Sequence, residues 1–168
     1  MFVLGVDPGL SRCGYGAVRR EGSRLSAVAA GVITTPPDDP LPERLASLAR
    51  ELRALLTELD PQVVVVERVF FQTAVRNAMA VGQASGLALA AAAEHGCTVV
   101  QYTSNEVKQS VTGYGAATKE QVQRMVQAVL GLAERPRPPD VADALALALC
   151  HIQLGPRLAA AADTGRQQ

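Results

Sequence analysis

Four consecutive valines, Val63–Val66, constrain this chain more than any other stretch. Side chains alternate across a strand, so an unbroken apolar run puts valine methyls on both faces of a sheet. Such a strand needs cover on both sides, which calls for helices above and below the sheet. Glu67 follows the fourth valine with no turn residue between them. A carboxylate at the mouth of a buried strand is costly unless a protein cation, a helix N-terminus or a metal ion accompanies it.

The flanking pattern supplies the layers. Phe2–Asp7, Gly14–Arg20 and Leu25–Thr34 read as strands, and their connections are too short for a crossover helix, which predicts an antiparallel meander. A dinucleotide-binding opening is excluded, because G-x-G-x-x-G is absent and no helix follows the first strand. Beyond a proline-rich loop over 35–42, leucines at 41, 45, 48, 52, 55, 56 and 59 recur in steps of three and four. That is the period of an amphipathic helix, which Asp60-Pro61 stops. Residues 73–95 form an Ala/Gly-rich helix and 97–102 a further strand. Thr103 with Glu106 and Thr118 with Gln121 have the spacing of capping boxes and open two more helices. A last helix runs from about 140 to 154. The order β-β-β-α-β-α-β-α-α-α predicts an α/β domain over 1–154, a five-stranded mixed sheet flanked by helices, with 155–168 a flexible tail.

Composition narrows the class. The chain is 48% apolar but only 4% aromatic, so its core is built from valine, leucine and alanine. The longest apolar-and-small run, Ala84–Ala93, is too short to cross a bilayer, and the N-terminus has no basic leader, so the expectation is a cytoplasmic protein without membrane contact. Cys13, Cys97 and Cys150 have neither disulfide-framework nor zinc spacing. Sixteen bases balance sixteen acids, which argues mildly against a nucleic-acid partner. The distribution is less neutral: from Arg68 to Arg137 there are seven bases against four acids.

Asp7 ends an apolar strand as Glu67 does, and Asp140 and Asp143 lie three apart in the first turn of the last helix. If the first and fourth strands are neighbours, their C-terminal ends bring Asp7 and Glu67 together. Gathered carboxylates repel unless protonated or bridged by cations. Hard divalent ions such as Mg²⁺ take oxygen ligands, and four carboxylates suit two-metal phosphoryl transfer. Each acid also has a local explanation. Asp7 fits a turn, Asp140 an N-cap, Asp143 the helix dipole, and Glu67 an ion pair with Arg68 or Arg76.

"GVDPGLSRCGYG", "VVVVERVFF", "VKQSVTGYGAATKEQVQRMV" and "PPDVADALALAL" resemble, in order and spacing, the four motif blocks of the RuvC-type Holliday-junction resolvases. The likeness runs from Phe2 to about Ile152. It implies a ribonuclease-H-like fold and a metal-dependent endonuclease that nicks four-way DNA junctions symmetrically in recombination and repair. By the same resemblance Asp7, Glu67, Asp140 and Asp143 are the catalytic, metal-binding tetrad, with two Mg²⁺ ions per site and Mn²⁺ as the alternative. Lys108, Lys119 and Phe70 are its DNA contacts, with Phe71 the neighbouring ring. The resemblance further implies a homodimer and a branch-migration complex of the RuvA–RuvB type as partners. Two other classes compete. An actin-like phosphotransferase needs a second such domain, and a non-catalytic junction-binding module would be expected to lack one of the acids.

Overall fold

The computed structural model describes residues 1–68 and 75–165. Its elements are β1 (Phe2–Asp7), β2 (Arg12–Glu21), β3 (Arg24–Thr34), α1 (Leu41–Leu59), β4 (Val63–Glu67), α2 (Val75–Glu94), β5 (Thr98–Tyr102), α3 (Ser104–Thr112), α4 (Lys119–Leu130) and α5 (Pro139–Gly165). The sheet order is β3-β2-β1-β4-β5. The meander β1-β2-β3 is antiparallel, while β1, β4 and β5 run parallel. This is the five-stranded mixed sheet expected from the element order. The valine run sits at its centre, with Val63 and Val65 facing one layer of helices and Val64 and Val66 the other. On the second face Leu48, Leu52 and Leu56 of α1 pack with Ala84, Ala88, Ala91 and Ala92 of α2. On the first face lie α3, α4 and α5.

α5 approaches the sheet unusually closely. Gly5 pairs with Gly16, and Asp7 with Gly14, across the β1–β2 ladder. A Cβ at Gly5 would run into the backbone oxygen of Ala144, and one at Gly14 into that of Asp140. One at Gly16 would lie 2.7 Å from Leu145 Cγ. The glycines thus form a track on which α5 rests. Its alanines at 142, 144, 146 and 148 are fully buried and keep the helix side equally thin. Small-on-small packing brings the first turn of α5 down onto the end of β1.

Both capping boxes form, at Thr103 with Glu106 and at Thr118 with Gln121. One boundary differs from the sequence expectation. α5 does not stop near 154; its backbone stays helical to Gly165. Gly155 is not a terminator there. It makes room for the His151 ring, which a Cβ would approach to 2.7 Å. The alanines at 159–162 then favour continuation. Among the described residues no helix is long and apolar enough to cross a membrane.

Candidate active site

Parallel pairing places Val3 opposite Val63 and Val6 opposite Val66, so the next residue of each strand, Asp7 and Glu67, emerges at the same edge. With α5 lying on the glycine track, Asp143 reaches that edge from above. Asp7, Glu67 and Asp143 line one cavity of about 180 Å³, together with Ser104, Val107 and Lys108 of α3, Lys119 and Val122 of α4, and Ala146 and Leu147 of α5. A larger groove of about 1020 Å³ lies behind α3, bounded by Arg20, Ser23 and Gln153, but its one acid, Glu106, is engaged in the Thr103 capping box. The smaller cavity holds the convergent ionisable groups.

The electrostatics of this cavity follow from burial and crowding. Asp7 is pushed up to about 7, first by desolvation and then by the negative fields of Glu67, Asp143 and Asp140. Glu67 is raised as well, by desolvation and by Asp143, while a hydrogen bond with Asp7 and the charges of Lys119 and Lys108 pull it back down. Lys119 is raised, chiefly by Asp143, whose Oδ2 lies 3.3 Å from its Nζ. Lys119 is the first residue of α4, where the helix dipole disfavours a cation. Its carboxylate partners across the cavity offset that local cost.

Asp140 stands apart. It belongs to the first turn of α5 but does not line the cavity; Arg12 grips its Oδ2 with Nη2 at 2.8 Å and Nε at 3.2 Å. Among the described residues no three acidic, histidine or cysteine side chains meet at one ligating point. The donor chemistry nevertheless fits a hard divalent cation, since these are carboxylate oxygens, and burial together with their mutual repulsion pushes Asp7 up to about 7. Phe70 and Phe71 lie outside the described residues, as does the side chain of Arg76. Arg12 and the glycine track were not identified from sequence. The signal for both was present in the first motif block, where Gly14 and Gly16 alternate behind a cation that follows the strand-end acid.

A mixed sheet of this order, with acids at the ends of its first and fourth strands and on a helix laid across them, defines a nuclease of the ribonuclease-H-like class. The family described as crossover junction endodeoxyribonuclease RuvC matches residues 3–151, and the chain belongs to it. A crossover junction endodeoxyribonuclease RuvC from Salinispora arenicola is 52% identical over 171 residues, spanning 99% of this chain and 98% of the relative. The RuvC structure from Thermus thermophilus superposes with a TM-score of 0.86 at 39% identity, covering 94% of this chain and 96% of that one. The same Thermus thermophilus protein in complex with a Holliday junction substrate gives 0.86 at 38% identity, over 92% and 94% of the two chains.

Proposed function

We propose that Asp7, Glu67, Asp140 and Asp143 hold the divalent metal with which this endonuclease cuts four-way DNA junctions. The observation that carries the proposal is the convergence of Asp7, Glu67 and Asp143 with two lysines on one cavity, with Asp140 beside it. Mg²⁺ is the proposed ion, two per site, with Mn²⁺ able to replace it. Bound there, the metal would supply an activated water and stabilise the leaving oxygen.

The protein's own groups have separate tasks. Asp7 and Glu67, on paired strands, set the position of the negative charge with little freedom to move. Asp7, pushed up to about 7, must give up any proton it holds before it can ligate. Lys108 and Lys119 flank the acids on the α3–α4 side and would hold the DNA backbone against the repulsion of the carboxylates. Phe70, three residues past Glu67, would stack on bases at the crossover, where unstacking costs least.

A junction related by a two-fold axis suits a protein with two identical sites. We assign the dimer contact to α2. Its inner alanines pack on the sheet, while Met79, Gly86, Ala90 and Ala93 share the outward side, Met79 being 60% exposed. A branch-migration complex of the RuvA–RuvB type remains the proposed working partner, and the cytoplasm the proposed compartment. A labelled synthetic four-way junction, incubated with and without Mg²⁺ beside a linear duplex of the same sequence, tests the reading. Paired nicks in the junction alone, and only with the metal, are expected. Equal cutting of the duplex would overturn junction specificity, and undiminished cutting in a chelator would overturn the metal site.

A further inference from the structure

Arg12 and Asp140 are each set on rigid backbone. Asp140 is pinned where α5 rests on Gly14, whose Cβ-free surface its own backbone touches. The loop leading to Arg12 is braced from α1 and from the residue that follows β3. Buried Thr35 donates to the Leu10 carbonyl at 2.6 Å, Arg44 Nη2 donates to Ser11 Oγ at 2.6 Å, and Arg44 Nε donates to Thr35 Oγ1 at 3.0 Å. What remains free to move is the Arg12 side chain, which is 50% exposed at the rim of the site. Both of its bonds fall on a single oxygen, Oδ2 of Asp140.

We propose that Arg12 is a positioning residue that exchanges partners, leaving Asp140 for a DNA phosphate as the junction binds and so releasing Asp140 to the metal. The inference rests on the reading of Asp140 as a metal ligand. A guanidinium and a divalent cation repel at one carboxylate oxygen, so each weakens the other there. A phosphate at the rim removes the conflict, because it accepts the same planar fork of donors. Metal and junction then favour each other through one side chain, and by linkage the coupling is reciprocal. The arrangement keeps a nuclease from gripping metal tightly before its substrate arrives.

Binding measurements test the exchange without relying on turnover. Mn²⁺ affinity of the protein alone is read from the paramagnetic resonance of the free ion, and junction affinity from fluorescence anisotropy in a chelator. Arg12→Gln should tighten Mn²⁺ binding by about two- to five-fold, the range of a half-exposed ion pair, and weaken junction binding in the chelator by a similar factor. Asp140→Asn should weaken Mn²⁺ binding, and adding Arg12→Gln to it should change nothing further. Arg12→Lys, which keeps the charge but loses the fork, should fall between Arg12→Gln and the unaltered protein. Unchanged or weaker Mn²⁺ binding in Arg12→Gln, while Asp140→Asn still loses affinity, overturns the exchange and leaves the metal site standing. An equal gain from Arg12→Gln in the Asp140→Asn background shows a diffuse charge effect and also overturns it. Unaltered Mn²⁺ affinity in Asp140→Asn removes Asp140 from the metal site, and the exchange with it.

Discussion

Asp7 and Glu67 emerge half-buried from the ends of two paired strands, whereas Lys119 projects from the start of a helix with three quarters of its side chain in solvent. The carboxylate floor and the lysine wall of the cavity therefore bear charge in different ways. A sheet fixes its strand-end groups against one another, so the acids cannot relax apart; burial first, and then the neighbouring carboxylates, push Asp7 up to about 7. A lysine on a helix keeps its long stem and can follow a ligand. The floor is built for a partner at a fixed place, and the wall for one that arrives with variable geometry.

Variants that alter the floor, or Asp140 beside it, should have the largest effects. Asp7→Asn, Glu67→Gln, Asp140→Asn and Asp143→Asn each remove a proposed ligand and should lower cleavage by roughly 1,000-fold or more, several kcal/mol of barrier. Junction binding, followed by gel shift, should persist or tighten, because a charge that repels phosphate is gone. A residue whose variant cuts at the unaltered rate is not a metal ligand.

The wall should be more forgiving. Lys119→Ala and Lys108→Ala should each lower cleavage by roughly 10- to 100-fold. Each should also reduce the salt dependence of junction binding by about one unit of slope. Lys119 should be the more sensitive, since it is the one paired with Asp143. If both lysines proved as indispensable as the acids, the contrast between fixed floor and mobile wall would fail.

The carboxyl of Asp7 rises from an ordinary value near 3.8 to about 7 in the folded chain. The folded state therefore holds a proton that the unfolded state has released between those values, and stability falls as pH rises through that window. Asp7→Asn should be more stable than the unaltered protein at about pH 8, by on the order of 2 kcal/mol. The gap should close towards pH 4, as urea unfolding at several pH values would show. A smaller effect is expected far from the cavity. Gly86→Arg improves helix propensity yet places a charged side chain on the proposed dimer face of α2, so it should yield a folded monomer in sedimentation.

Much of this contrast was legible in the sequence because it rests on local patterns. The valine run, the leucine steps of α1 and the two capping boxes each carry their own period or spacing, while the pairing of β1 with β4 stood in the sequence only as the condition for Asp7 and Glu67 to meet. The distances within the site were not legible. That Asp140 lies outside the cavity depends on Arg12 reaching across from β2, a contact between residues 128 apart. The seat of α5 depends on glycines whose meaning appears only when a helix lies over them. α5 runs past the end expected near 154, and Gly155 is in the fold a clearance for His151. The placement of Phe70, given by resemblance, falls outside the described residues.

The crowded carboxylates at the ends of β1 and β4 are proposed as a divalent-metal site. Thermal unfolding at about pH 8, with and without millimolar Mg²⁺, tests this, since an ion bound only by the folded chain raises its melting temperature. The unaltered protein should gain several degrees from Mg²⁺, and Asp7→Asn, already relieved of the repulsion and short of a ligand, should gain little. Equal gains in the two proteins, or none in either, would contradict a metal site there.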